Sequence, residues 1–507
     1  MSPPTAILIC LLAPLVAGLA ALAAGPRRKV AAGLATAAAA AGTAASLVII
    51  AAVHGGEVPV VHFGNWPAPY GIAFAADGLA ALMLAVSNFV TLAVTIYSWR
   101  GVSSFFRRRR FHVLILTLQF GVNGAFLTTD LFNLYVWFEV LLLSSFVLMS
   151  TVRGAEARAG AWRYVLLNLV SSLLFLGAAG IIYGKTGTLN MAHLATLFRG
   201  SEDSFLLLSS SALLFAAFAI KSALIPFSFW LPASYPHAPI AVSALFAGLL
   251  TKVGVYAFFR CFGLVFADGS SFAHQDVLLV LAIVTMVGGV LGAVAQDSMR
   301  RILSFHIISQ VGYMILALAL FTPLALAAGI FYIVHHIVVK TNLFLVAGLV
   351  EQHSGSSELS EARGVLRSFP FAAAVFAVAA LSLAGLPPLS GFWAKFSLLE
   401  AALKAGAWWS TGAILLVGLL TLFSMLKIWT KVFWREPDDS PRESVTASML
   451  VPGAVLALVT ILLGVSAGPL FSFAEQAAAS LLEPAGYIEA VLGANPPPVP
   501  TAISLQP

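Results

Sequence analysis

Charge is scarce in this sequence. Asp, Glu, Lys and Arg together make up 9% of its 507 residues, against about 25% in ordinary soluble domains, which excludes a conventional soluble enzyme. Cysteine is nearly missing as well: Cys10 and Cys261 share no spacing motif, so neither a metal site nor a disulfide framework is supported. Long polar stretches are also lacking, which leaves no room for a sizeable soluble domain. The first apolar run has no basic residue before it, and Arg27, Arg28 and Lys29 follow it. That order argues against a cleaved signal peptide and for a retained first helix. No cluster of catalytic acids and no nucleophile with its base stands out at either membrane face, so a membrane enzyme finds no support.

What remains is apolar. Hydrophobic residues make up 60% of the chain, and a membrane span needs about 20 of them in a row. Fourteen stretches qualify, centred near residues 14, 41, 87, 119, 140, 172, 217, 251, 286, 311, 337, 382, 421 and 459. The net charge of +6 invites a nucleic-acid partner, but topology accounts for it. Loops on one side hold 18 Lys and Arg, among them Arg107 to Arg110 and Arg300, and those on the other hold Lys185, Arg199, Arg260 and Lys404. Such a bias places the first side in the cytoplasm and both termini outside. The contiguous Arg107 to Arg110 run reads as an anchor rather than a voltage sensor, whose arginines would be spaced along a helix.

Five basic residues belong to no loop, namely Lys221, Lys252, Lys340, Lys395 and Lys427, and every one is lysine. Arginine stays charged, whereas a buried lysine can shed its proton. A membrane interior that admits Lys and excludes Arg suits groups that titrate. Glu139 joins them, in a run from Leu131 to Ser150 that is otherwise mostly apolar. A charge at span depth costs about 2.5–3.5 kcal/mol on insertion scales, so such residues are functional by default. His336 and Lys340 lie four apart and share a helix face, while His335 points elsewhere. For His335, His306 and His237 a structural imidazole is an equal alternative, and Lys427, about one turn from a span end, can snorkel. Asp77 and Asp130 read as capping or interfacial acids.

Two spans are interrupted. Pro226 and Pro232 break the seventh, and Pro387, Pro388 and Gly391 the twelfth. Each internal proline removes a donor and frees a carbonyl upstream, and bare backbone at membrane depth is tolerated only where protein buries it or a wet cavity meets it. "IPFSFW" and "PPLSGFW" align with one insertion and lie five spans apart, so the repeat is inverted, and Lys252 then corresponds to Lys427. Paired broken helices in inverted halves point to a transport site. Glu139, Lys221, Lys252, His336, Lys340 and Lys395, with water between, would make a proton path within the membrane plane.

The phrases "LYVWFEVLLLSS", "IKSALIPFSFWLPASYPHAPIAVSALFAGLLTKVGVYAFFR", "DSMRRILSFHIISQVGYM", "HHIVVKTNLF" and "GLPPLSGFWAKF" resemble the antiporter-like subunits shared by respiratory complex I and the Mrp multisubunit cation/proton antiporters, over nearly the whole chain to about residue 435. Within that family the sequence is similar to the D-type branch of the Mrp antiporters. The M-type branch of complex I is similar too, but usually has glutamate at the position of Lys395 and tends to have histidine at that of Gln310. The resemblance implies an all-α polytopic fold of 14 transmembrane helices with discontinuous helices 7 and 12. Its parts would be N-terminal helices at 1–110, inverted five-helix repeats at 111–262 (helices 4–8) and 276–435 (helices 9–13), helix 14 at 446–473 and an outward tail at 474–507. It also implies a pair between Lys221 and Glu139, with Lys252, His336, Lys340 and Lys395 at the other proton-transfer positions.

The expected function is thus proton translocation in a hetero-oligomeric Na+/H+ antiporter of a bacterial cytoplasmic membrane, with other membrane subunits as partners, H+ and Na+ as cargo and no cofactor. The rival is a proton-pumping subunit of a redox-driven complex. The tail from Ala474, including "NPPPVP", is expected to be loose or to dock on a partner.

Overall fold

The computed structural model describes residues 1–25, 27–66, 70–101, 111–150, 154–199, 204–267, 275–436 and 446–493. Helices run α1 Pro3–Ala23, α2 Arg28–His54, α3 Gly78–Gly101, α4 Phe111–Leu127, α5 Leu131–Ser150, α6 Ala155–Thr186 and α7 Ser204–Ser222. They continue as α8 Ile240–Val265, α9 Gln275–Val294, α10 Met299–Leu320, α11 Pro323–Ser354, α12 Pro370–Ala384, α13 Ser390–Lys404, α14 Trp408–Phe433 and α15 Ala447–Val465, with α16 Ala467–Leu482 and α17 Ala485–Leu492 at the end. Between α2 and α3 an antiparallel pair, β1 Val60–His62 and β2 Ala73–Ala75, forms with Val60 opposite Ala75.

Among the described residues, twelve helical segments are long and apolar enough to cross a membrane. The stretches expected near 119 and 382 form the shorter apolar helices α4 and α12. Burial sorts them. α8 and α11 are enclosed along their whole apolar windows and α10 nearly so, whereas α1, α2, α6, α9, α14 and α15 turn residues such as Leu47, Leu173, Leu419 and Leu458 outward. A helix enclosed on all sides has no lipid face, so its polar residues face protein or internal water. α8, α10 and α11 are the helices that carry Lys252, His306, His335, His336 and Lys340.

Lipid offers no hydrophobic drive to helix pairing, so close packing at small residues takes its place. α9 and α10 cross in this way: a Cβ on Gly289 would run into the Ser309 nitrogen, and one on Gly312 would lie 2.7 Å from the Met286 nitrogen. The Ser309 hydroxyl adds a bond to the Met286 carbonyl at 2.9 Å.

The structure departs from two expectations. The span expected over 446–473 stops at Val465, and the chain past Ala474 is not loose but folds as α16 and α17. Phe473, Ala474, Ala477, Ala478 and Leu481 are buried, a helical spacing that a reading by hydropathy passed over. Residues 494–507, with "NPPPVP", lie outside the described residues, as do Arg107 to Arg110. Second, Arg260 and Arg300 are buried in α8 and α10 rather than loop charges, so the interior does not exclude arginine. Arg260 is buried in α8 and grips both oxygens of Asp77 at 2.7 Å, while the Tyr256 hydroxyl accepts from it at 3.2 and 3.1 Å and the Tyr487 ring lies 5.2 Å away. Burial works to raise the Asp77 carboxyl, but the Arg260 guanidinium outweighs it and holds Asp77 below the usual carboxylate range. Asp77 also caps Ala80 at 3.0 Å, and Asp130 caps Asn133 at 2.8 Å. Arg300 donates to the Ala238 carbonyl, to Ser243 at 3.0 Å and to Glu351 at 3.4 Å.

Candidate functional site

The first break follows α7. Ala223 takes a positive φ of 62°, the helix stops, and the chain turns through Pro226 into the short helix Trp230–Ser234. Side chains from elsewhere hold the freed backbone: the Trp230 indole donates to the Ile220 carbonyl at 3.1 Å, and the Ile225 amide donates to Thr285 on α9 at 3.1 Å. Lys221, in the last turn of α7, is therefore free to face inward. Its Nζ donates to Ser172 on α6 at 3.3 Å and lies 5.2 Å from the Phe138 ring centre. The Ser172 hydroxyl donates in turn to Glu139 Oε1 on α5. Glu139 and Lys221 are thus brought together, but through a serine rather than by direct contact. Beside Lys221, a cavity of about 10 Å³ lined by Tyr164, Asn168 and Trp230 has room for about one water.

The second break follows α12. Gly385, with φ of 94°, ends the helix in a conformation that a side chain would strain, and α13 resumes at Ser390. The last carbonyls of a helix have no partner within it. Lys395 reaches back from α13 and donates to Leu383 at 2.9 Å and Ala384 at 3.0 Å, with Nζ 5.2 Å from the Tyr313 ring centre. Ser390 Oγ lies 2.8 Å from His335 Nδ1 and 3.2 Å from Ser382 Oγ. A groove of about 470 Å³ between α12, α13 and α14 reaches Lys395 past Gly385, Leu386 and Leu419.

Between the breaks lie the enclosed helices. A Cβ on Gly254 would meet the Ser222 nitrogen at 2.9 Å, so α8 presses directly on the end of α7, half a turn from Lys252. Lys252 donates to the Ala247 carbonyl of its own helix, in the π-helical turn Phe246–Leu250, a wide turn of the kind found often at functional sites. Lys340 donates to the Leu303 carbonyl on α10 at 3.0 Å, and His306 meets the Ser424 hydroxyl. His336 is within Coulombic reach of Lys252, Lys340, His306 and His335, His306 within that of Lys340 and Lys395, and His335 within that of Lys395. Among the described residues, both ring nitrogens of His336, Nδ1 of His306, Nε2 of His335 and of Gln310, and Oγ1 of Thr251 are buried without a hydrogen-bond partner.

Two candidates stand apart. Lys427 donates to the Val294 and Gln296 carbonyls at 3.0 and 2.6 Å and pairs with Asp297 at 3.1 Å, which makes it a cap on α9. His237 is half-buried near Arg300, Arg301 and Glu156. Reading the sequence missed Ser172 and Ser390; the only hint was the pair Ser171–Ser172 at mid-span in α6. Among the described residues no group of His, Cys, Asp and Glu could hold a metal ion.

Fold and interior together define a multi-pass helical membrane protein with ionisable side chains on its most enclosed helices. Residues 128–421 match the family described as NADH:quinone oxidoreductase/Mrp antiporter, TM. A curated relative, the D component of the Na(+)/H(+) antiporter from Alkalihalophilus pseudofirmus, is 42% identical over 449 residues, which cover 88% of this chain and 91% of that one. Among solved structures, a chain of the Mrp complex from a Dietzia species superposes with a TM-score of 0.91 at 34% identity, covering 97% of this chain and 100% of that one. A chain of respiratory complex I from Thermus thermophilus gives 0.81 at 26% identity, covering 94% and 99%. The chain belongs to the NADH:quinone oxidoreductase/Mrp antiporter membrane family.

Proposed function

We propose that this chain is a proton-translocating subunit of a multisubunit Na+/H+ antiporter. It is a transporter component rather than an enzyme and works with other membrane subunits, as the antiporter relatives and the Mrp complex neighbour support. The single observation that carries a role for its own residues is the link Glu139–Ser172–Lys221, which joins three helices at a break inside the bilayer. In this reading Glu139 and Lys221 form the gate. Lys252, His336 and Lys340 relay, and Lys395 leads to an exit or to a neighbouring subunit. The unpartnered polar atoms around His306, Gln310 and His336 support internal water there, since buried polar groups are normally hydrogen-bonded. Energy comes from an ion gradient or the membrane potential, about 2.3 kcal/mol per charge per 100 mV.

The finer architecture belongs to the same proposal. α4 and α12 also cross, making fourteen spans, with inverted repeats at 111–262 and 276–435 and with the bacterial cytoplasmic membrane as the setting. Removing Arg260 and Arg300 from the loops leaves a bias of 17 basic residues to 3, and the termini face outward. Glu139 is half-buried on a stripe of α5 shared with the exposed Phe132, Val136, Leu143 and Val147. A carboxyl there facing bare hydrocarbon is expensive, which supports a partner subunit covering it. The likeness to complex I keeps a redox-driven pump as the second reading; purification with iron–sulfur or flavin subunits would favour it. Lys221→Ala in the assembled complex, reconstituted in vesicles, is expected to cut cation-driven proton flux at least tenfold. Unchanged flux would remove the gate.

A further inference from the structure

We infer that Ser172 carries the proton between Lys221 and Glu139, acting as a two-way hydroxyl switch. The inference rests on the gate reading above and adds a residue and a step to it. Ser172 is 5% exposed and sits on α6 between the acid of α5 and the amine of α7. Its neighbour Ser171 donates to the Ala217 carbonyl at 2.7 Å, which fixes α6 against α7. Most hydroxyls in these helices turn back to their own backbone, as Ser144 does to Val140 at 3.1 Å and Thr117 to Val113 at 3.0 Å. Ser172 instead spends its one proton on Glu139 and receives one from Lys221.

A serine hydroxyl has one donor and two acceptor lone pairs, so the contact suits both charge states of the gate. With Lys221 protonated and Glu139 ionised, Nζ donates to Oγ and Oγ donates to Oε1. Transfer breaks an N–H bond on Lys221 and forms an O–H bond on Ser172, while the serine's original O–H breaks and a new one forms on Glu139. The serine is restored, both charges vanish, and no co-reactant is needed. In the neutral state the same two contacts reverse: the protonated Glu139 donates to Oγ, and Oγ donates to the Lys221 lone pair. No separated charge need cross the gap, and neither side chain has to swing.

The test uses the complete complex in proteoliposomes with an imposed sodium gradient, read by a pH dye, with Glu139→Gln and Lys221→Ala as references. Ser172→Ala is expected to slow proton flux at least tenfold at unchanged subunit stoichiometry, and Ser172→Thr, which returns the hydroxyl, to restore most of it. The infrared carbonyl band of the protonated Glu139 should shift in the alanine variant and return in the threonine variant, which a purely packing role would not produce. Wild-type flux in Ser172→Ala, with both references slow, overturns the relay and leaves the gate standing; wild-type flux in the references themselves overturns the gate. Should the alanine form not assemble, Ser172→Cys replaces it: its thiol is a weak donor, reduced flux supports the relay, and full flux overturns it.

Discussion

The two interrupted helices each place a lysine beside a proline break, yet they tether it differently. At the first, backbone orphans are taken up by Trp230 and Thr285, and Lys221 faces the Ser172 hydroxyl. At the second, the lysine itself holds the broken end, with two carbonyls of α12 accepting from Lys395. In the proposed proton path, Lys221 would change charge without loosening its break. Deprotonation of Lys395 would weaken the bonds that close its own and so couple transport to local structure there.

That contrast can be broken by experiment. Lys395→Ala leaves two buried carbonyls without donors, a cost of about 1–3 kcal/mol each, and is expected to lower both flux and thermal stability in detergent. Lys395→Arg keeps donors but no longer titrates, so stability should return while flux stays below about a tenth of wild type, a loss equivalent to about 1.4 kcal/mol. Lys221→Ala should lower flux alone. Equal stability losses at the two lysines would erase the distinction.

The smallest effect concerns Lys427, which the proposed repeat would equate with Lys252 but which caps α9 through the Val294 and Gln296 carbonyls. Hydrogen bonds from Lys431 and Lys427 hold the exposed Asp297 carboxyl below its usual range. A depressed carboxylate contributes stability above its unfolded value, about 3.9, and that contribution fades as pH falls through the lower folded value. Asp297→Asn should therefore slightly flatten the loss of stability below about pH 4, read by melting in detergent, without changing flux at neutral pH. A fall in flux would return Lys427 to the transport line.

The ionisable residues of the interior were legible because charge at membrane depth is costly, so Glu139, Lys221, Lys252, Lys340 and Lys395 stand out from apolar surroundings before any fold is known. Both breaks were legible because proline cannot donate. Ser172 was not: a serine in a membrane helix costs little and normally bonds its own backbone, so only the positions of α5 and α7 reveal its contacts with Glu139 and Lys221. Arg260 and Arg300 were misread because a count of loop charges assumes that an arginine near a span end meets water, whereas Asp77 holds Arg260 inside and the Ala238 carbonyl and Ser243 hydroxyl hold Arg300. α16 was hidden because its buried face is largely alanine, at a helical period that hydropathy averages away.

Lys252 offers the most direct test. It is fully buried, and its hydrogen bond goes only to its own helix, so replacing it with methionine removes a titrating group and little else. In sodium-driven vesicles carrying the assembled complex, Lys252→Met is predicted to leave proton flux below about a tenth of wild type, a barrier change of about 1.4 kcal/mol. Wild-type flux at normal assembly would contradict a proton path through this chain.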